Sequence, residues 1–138
     1  MAARWSAPTS SHYYEVTLSD VGVPYTRTGI TIRYRYAKSG NNNGQTINLT
    51  VELRQGSTVI ASMTHNNIPG VSGSGWQQGS FTLTEAQGNS ITNFADLRIR
   101  FRPTASGGGQ QRKAQVSWAE VEFPSVGGPA TQFTYGYD

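Results

Sequence analysis

Strict alternation of apolar and charged residues is the feature that most limits what this chain can fold into. Apolar side chains alternate with arginines through residues 97–102, and a second alternating run covers residues 114–118. Because residues two apart on a strand share a face, both runs predict strands that are buried on one side. The charged face of the first run is an arginine row formed by Arg98, Arg100 and Arg102. We consider this row a possible subunit interface.

The glycine-rich loop between the two runs predicts that they pair as an antiparallel hairpin. A shared apolar face sets the expected pairs: Phe101 with Ala114, Ile99 with Val116, and Leu97 with Trp118. The apolar phase changes after Trp118, which predicts a β-bulge near Ala119 and Glu120 or a strand end buried on its other side. The predicted neighbours of the arginine row are Glu52, Glu120 and Glu122.

Other alternating segments predict strands at residues 13–18, 29–36, 46–53 and 76–83. Residues 54–56 are expected to form a three-residue hairpin loop with Gly56 in the left-handed conformation. The apolar residues would then pair Val51 with Val59, Leu49 with Ala61, and Ile47 with Met63. The sequence TEAQ at residues 84–87 matches a helix capping box and predicts one short helical turn.

Length and composition favour one domain with one core. The chain has 138 residues, of which 36% are hydrophobic, and it contains 16 glycines. We predict an all-β, single-domain antiparallel β-sandwich that is jelly-roll-like and carries one short helical turn. An immunoglobulin-like sandwich is the alternative topology. Residues 1–12 and 125–138 are predicted arms on either side of a sandwich at residues 13–124.

Charge and cysteine content narrow the possible partners. The formal net charge is +3, and the absence of cysteine excludes disulfides and thiolate metal sites. The arginines are spaced along strands among glutamates, so ion pairs explain them better than nucleic acid does. The first residues lack the apolar stretch of a signal peptide, and no long apolar run is present. We therefore expect neither specific nucleic acid nor a membrane as a partner.

Catalytic residue patterns are weak in this sequence. His12 and His65 are the only histidines, and they are too far apart in the chain for a local metal-binding motif. Glu120 and Glu122 would project from one strand face at a separation compatible with a glycosidase pair. Salt bridges to arginines are the preferred interpretation of these two glutamates. We expect a protein that is not an enzyme and has no catalytic residues, no cofactor and no metal.

Four segments within residues 29–124 resemble small β-sandwich structural proteins of tailed bacteriophages: ITIRYRYAKSG, INLTVELRQGSTVIASMTHNNIP, FTLTEAQGNSITNFADLRIRF and AQVSWAEVEFP. The resemblance implies a virion structural protein, with a capsid decoration (cement) protein as the expected role. The implied partners are the major capsid protein and neighbouring copies of the same chain, as a homo-oligomer in which a trimer is favoured. The implied location is the capsid surface of the virion, after synthesis in the host cytoplasm.

Exposed aromatic residues suggest two kinds of contact. The terminal arms carry Trp5, Phe133, Tyr135 and Tyr137 as candidate contacts to the capsid or to other subunits. Packing of these side chains onto their own domain is the alternative interpretation. A carbohydrate-binding module of a head or tail appendage is the alternative function, with Tyr25 and Trp76 as candidate sugar-stacking residues. Packing at the edge of the core is the alternative interpretation of Tyr25 and Trp76.

Overall fold

The computed structural model describes residues 13–18 and 27–124 in full and the backbone of two further strands near the chain ends. In this described part the strands are β1 (Trp5–Ala7), β2 (Tyr14–Leu18), β3 (Thr31–Lys38), β4 (Thr46–Gln55), β5 (Thr58–His65), β6 (Gln77–Thr82), β7 (Leu97–Ser106), β8 (Ala114–Phe123) and β9 (Thr131–Gly136). A short helix α1 (Glu85–Asn89) and one turn of 3-10 helix (Phe94–Asp96) connect β6 to β7.

The strands form two antiparallel sheets that pack face to face. The first sheet has the order β1-β8-β3-β6, with β9 also paired to β8, and the second sheet has the order β2-β7-β4-β5. Strand pairs 1 and 8, 2 and 7, 3 and 6, and 4 and 5 are therefore nested inside one another, as in a long hairpin that has been rolled up. This order is that of a jelly roll, so the predicted jelly-roll-like β-sandwich is confirmed.

The core lies between the two sheets and is built from the alternating residues of the inner strands. Tyr34, Leu53, Ile99 and Val121 are all fully buried, and they come from four different strands of the two sheets. Their sequence neighbours on each strand are mostly polar and lie on the outer faces. The period-two pattern therefore gives the two sheets their inner and outer sides.

The expected hairpin between residues 97–106 and 114–123 is wrong. β7 lies in the second sheet and pairs with β2 and β4, whereas β8 lies in the first sheet and pairs with β1, β3 and β9. Phe101 pairs with Val51 and Tyr14 instead of Ala114. The shared apolar phase of the two strands reflects packing across the core rather than pairing within one sheet.

The β4–β5 hairpin forms, but its register differs from the prediction. Gly56 has a φ of 56°, as expected for its left-handed conformation. The loop contains two residues instead of three, because Gln55 already pairs with Thr58. A register shift after Leu53 then places Val51 opposite Met63 and Leu49 opposite His65. The pairing of Val51 with Val59 was therefore wrong, as were those of Leu49 with Ala61 and Ile47 with Met63.

A β-bulge interrupts β8, as the change of apolar phase predicts. Arg35 pairs with Trp118 while the next residue, Tyr36, pairs with Val116, so Ser117 is the extra residue. The bulge lies before Trp118 instead of at Ala119 and Glu120. Because paired residues share a face, Trp118 lies on the outer face beside the exposed Arg35. The expectation that Trp118 faces the core was wrong.

The predicted capping box is present at the start of α1. The side chain of Thr84 accepts a hydrogen bond from the backbone of Gln87, and the side chain of Gln87 accepts one from the backbone of Thr84. Each contact satisfies one N–H group that a helix start leaves unpaired. The short helical turn expected from the sequence is confirmed.

Both predicted arms contribute a strand to one side of β8. β1 pairs with Ala114 to Val116, and β9 pairs with Trp118 to Phe123, which is the adjacent stretch of the same strand. β3 occupies the other side of β8. The first and last described strands therefore lie along one edge of the first sheet.

Candidate functional site

The arginine row lies on the outer face of the second sheet, where Glu15 of β2 holds two of its members. Arg100 donates to Glu15 Oε2 through Nε at 2.7 Å, and Arg98 donates to Oε1 of the same carboxylate at 3.1 Å. Burial alone would raise the pKa of Glu15, but the two guanidinium groups outweigh it and lower that pKa. Glu15 is a partner that the sequence reasoning missed.

Glu52 flanks the same row from the opposite strand. It lies across from Arg100 in the register of β4 and β7, and it accepts from Arg54 at 3.0 Å. Its contact with Arg102 is longer, at 3.8 Å, and the Arg102 side chain is 39% exposed. Tyr13 covers the middle member of the row, with its ring centroid 3.9 Å from the guanidinium carbon of Arg100. Most of the positive charge of the row is therefore neutralised within the chain, and Arg102 is the most loosely held member.

Glu120 and Glu122 are not neighbours of the arginine row, which corrects the prediction. Both lie on the outer face of the first sheet, where Arg33 binds Glu122 at 3.0 Å and Glu120 at 3.4 Å. The hydrogen bonds and charge of Glu122 and Glu120 raise the pKa of Arg33 against the opposing effect of burial. The preferred salt-bridge interpretation of this glutamate pair is confirmed.

A third outer-face cluster surrounds Arg35 on β3. Trp118 of β8 and Gln78 of β6 lie on either side of it in the sheet register. The Trp76 ring lies 5.8 Å from the guanidinium carbon of Arg35. Arg35 and Gln78 are exposed, and the two tryptophans are half-buried. We call Arg35, Trp76, Gln78 and Trp118 the indole patch.

His65 links the two sheets at one margin of the core. Its Nε2 lies 2.6 Å from the hydroxyl of Tyr34, and its Nδ1 lies 3.2 Å from the hydroxyl of Tyr36. The ring of Tyr36 stacks on the imidazole at a centroid distance of 4.5 Å. Burial lowers the pKa of His65 and raises the pKa of Tyr34 well above its ordinary value. Both ring nitrogens are occupied by tyrosines, so this histidine serves the packing of the sandwich.

Two buried cations organise the loop at residues 39–45. Lys38 donates to the backbone oxygens of Asn42 and Gln45 at 2.9 and 3.1 Å. Arg112 donates through Nε to the backbone oxygen of Asn43 at 3.0 Å. Burial, followed by the charge of Arg112, lowers the pKa of Lys38. Backbone carbonyls, instead of carboxylates, accept these hydrogen bonds from the two cations. The hydrogen bonds fix the loop around the two side chains.

Most of the predicted contact residues lie wholly or partly outside the described part of the chain. Tyr25 and Tyr137 lie outside the described residues, as does His12. The backbones of Trp5, Phe133 and Tyr135 belong to β1 and β9, but their side chains are outside the described part. Trp76 is placed within the indole patch. The arm contacts therefore remain predictions.

The described residues bring together no group of histidine, cysteine and carboxylate side chains that could hold a metal ion. Within the same residues, no helix combines the length and the apolar character needed to cross a membrane. The polar clusters that are present are ion pairs on the outer faces and hydrogen bonds at the margin of the core.

No family model matches the chain, and no curated protein matches it. Among solved structures, the chain is similar to part of the crystal structure of the infectious bursal disease virus VP2 subviral particle, with a TM-score of 0.46 and 16% sequence identity. The match covers 99% of this chain and 35% of that chain. A similarity at this level assigns neither a family nor a function.

Proposed function

We propose that this chain is a virion structural protein of a tailed phage, a capsid decoration protein that binds the outer capsid surface and stabilises the shell. The observation that carries the proposal is the meeting of β1 and β9 on one side of β8. Terminal strands at a sheet edge are well placed to extend onto a neighbour or to accept a strand from it. The resemblance of residues 29–124 to small phage structural proteins supports the same role.

A binding role also fits the polar surfaces. The buried or half-buried carboxylates Glu15, Glu52 and Glu120 each contact an arginine, so their negative charge serves ion pairing. A decoration protein needs a rigid body and a contact surface rather than a reactive group. We accordingly propose a non-enzymatic protein whose partners are the major capsid protein and further copies of itself.

The arginine row is proposed as the contact between copies. Arg102 is the member with a long internal ion pair and an exposed side chain, so it is the one most available to a neighbouring subunit. We expect Arg102→Glu to shift a trimer toward monomer in light scattering, and Lys113→Glu in an exposed loop to leave it unchanged. An unaltered oligomer in Arg102→Glu would place the contact elsewhere.

The capsid-binding role is tested on particles that lack this protein. Purified full-length chain is mixed with such particles, and bound copies are counted after sedimentation and located by electron cryomicroscopy. We expect saturable binding on the outer surface, weakened at least about tenfold in a chain ending at Pro124. Tyr137→Ser, which lies beyond β9 and leaves its strand pairs in place, is the variant to use if the truncated chain melts non-cooperatively. Equal occupancy of wild-type and altered chains would reject the arm contacts, and no binding would reject the function.

A further inference from the structure

Arg35 differs from the other arginines of the described ranges in having no polar partner there. Each of the others donates to a backbone oxygen or contacts a carboxylate. The contact of Arg35 is the ring of Trp76, and its side chain is exposed on the outer face of β3. A guanidinium carries five donors in a planar fork, and here that fork is open to solvent.

The side chains directly across from Arg35 on the two neighbouring strands are aromatic and amide-bearing, and Glu120, two residues from Trp118 on the same face, is bound by Arg33. Trp118 lies directly opposite on β8, and Gln78 lies directly opposite on β6. β8 and β6, which lie on either side of β3, are about 10 Å apart, because this distance is two strand spacings. Trp76, two residues before Gln78, extends the patch along the strand direction. The indole patch therefore places an indole ring on each side of one positive charge that has no polar partner among the described residues.

We propose that the indole patch binds an anionic carbohydrate, through the carboxylate of a uronic or nonulosonic acid residue on Arg35. The guanidinium fork matches a carboxylate in bidentate geometry. The indole rings supply the flat apolar surface on which the C–H face of a pyranose packs, while their polar edges stay in water. The exposed amide of Gln78 can both donate to and accept from sugar hydroxyls.

The sheet context favours a sugar over an acidic peptide. β3 is hydrogen-bonded to β8 on one side and to β6 on the other, so a peptide cannot add to it as a strand. Recognition at this face must use side chains alone, and stacking on two indoles with one ion pair suits a pyranose chain. The four patch residues belong neither to the arms nor to the arginine row, which lies on the opposite outer face of the sandwich, so sugar binding is tested separately from the capsid role.

The test uses defined oligosaccharides and the full-length protein. Oligogalacturonate and oligosialate are titrated while tryptophan fluorescence and calorimetric heat are recorded, and the methyl ester of each serves as the uncharged form of the same sugar. We expect saturable binding of at least one acid, with its ester at least about tenfold weaker. Arg35→Gln and Trp118→Ala should each weaken binding of the acid at least about tenfold. Neither substitution should strengthen binding of the ester.

Lys113→Gln is the matched control, because it also removes one exposed positive charge from a loop position. We expect wild-type affinity in this variant. The proposal is overturned if neither acid binds saturably, or if Lys113→Gln weakens binding as much as Arg35→Gln. It is also overturned if an oligoglutamate peptide displaces the sugar at equal concentration, since the patch would then bind carboxylates whether or not a sugar ring carries them.

Discussion

The hydroxyl of Tyr34 lies 2.6 Å from Nε2 of His65, so a residue of the first sheet is hydrogen-bonded to a residue of the second sheet. Tyr34 has no solvent exposure, and its ring also packs edge-on against Phe101 of β7 at 5.8 Å. Because a neutral imidazole has one donor and one acceptor nitrogen, one of the two tyrosine hydroxyls on His65 donates and the other accepts. The cluster therefore joins the two sheets by side-chain hydrogen bonds.

Removing the Tyr34 hydroxyl should destabilise the sandwich without creating a large cavity. Tyr34→Phe leaves Nε2 of His65 without its partner, and we expect the free energy of unfolding to fall by about 1–3 kcal/mol. Urea denaturation followed by circular dichroism measures the change. Tyr13→Phe, at a tyrosine that is 50% exposed, should change stability by less than about 0.5 kcal/mol. Equal effects of the two substitutions would show that the hydrogen bond contributes nothing.

Gly79 of β6 makes room for the same cluster. A Cβ at this position would overlap Tyr34 Cε2 and come within 2.9 Å of His65 Nε2. We expect Gly79→Ala to lower the thermal midpoint and to reduce the free energy of unfolding by about 1–3 kcal/mol. Gly108, where a Cβ would meet nothing within 4 Å, is the matched position for the same substitution. A tolerated Gly79→Ala would mean that Tyr34 can move aside at little energetic expense.

His65 predicts a loss of stability in mild acid. Burial lowers the pKa of His65 in the folded chain from the ordinary value of 6.5. Below pH 6.5 the unfolded chain therefore binds a proton at this residue more readily than the folded chain does. The free energy of unfolding should therefore fall as the pH decreases from 6.5 toward the folded pKa, by at most about 1.4 kcal/mol per pH unit for this one group. Above pH 6.5 the residue should contribute no pH dependence.

The matched comparison for this pH effect is His65→Gln, in which the neighbouring groups are retained. The slope of stability against pH between 6.5 and 5 should be smaller in the variant than in the wild type. All other ionisable groups are common to both proteins, so their contributions cancel in the difference. Identical slopes would show that His65 titrates alike in the folded and unfolded chains.

Glu15 predicts a second loss of stability at lower pH. Arg100 and Arg98 hold its pKa below the ordinary value of 4.5, so its contribution is present above that pH and disappears as the pH falls through the lowered folded pKa. At pH 7 we expect Glu15→Gln to reduce the free energy of unfolding by about 1–3 kcal/mol, since two charged hydrogen bonds are lost. Glu85→Gln, at an exposed residue of α1, should have an effect of about 0.5 kcal/mol or less. Equal losses at the two positions would contradict a special role for Glu15.

Arg112 should control the order of the loop at residues 39–45. Arg112→Leu removes the donors that bind Asn43 O and Asn41 Oδ1. We expect faster hydrogen exchange at the amide of Gln45, which donates to Gln110 O at 2.9 Å, with α1 amides unchanged. Lys113→Leu, at the adjacent exposed residue, is the control. Unchanged exchange at Gln45 would show that the loop holds its shape without the guanidinium.

The sequence predicted most of the residues that face the core, with Trp118, Val59 and Met63 as exceptions, but it did not reveal which strands pair. Alternation places Ile99 and Val116 inside whether their strands are neighbours in one sheet or opposed across two sheets. The expected jelly roll and the expected hairpin of residues 97–106 with 114–123 were in fact incompatible, because the nested strand order separates the seventh and eighth strands. The short loop between them was the stronger local signal, and it was misleading.

The ion-pair partners of the arginines also depend on which strands pair. Glu15 was not identified because it becomes the neighbour of Arg98 and Arg100 only once β2 pairs with β7. The assignment of Glu120 and Glu122 to the arginine row failed with the hairpin on which it depended. By contrast, the capping box at Thr84 and the positive φ of Gly56 were predicted correctly, since each depends on residues close in the chain. The indole patch required both the strand order and the β8 bulge, and neither can be read from local sequence.

The nesting of strand pairs also has a consequence for how the chain acquires its structure. Trp5 pairs with Val116, so β1 stays unpaired until β8, the eighth strand in chain order, has formed. Among the described strands, β4 with β5 and β8 with β9 pair as neighbours in the chain, whereas the nested pairs 3 and 6, 2 and 7, and 1 and 8 form at increasing sequence separation. Such a high contact order implies folding in milliseconds to seconds rather than microseconds.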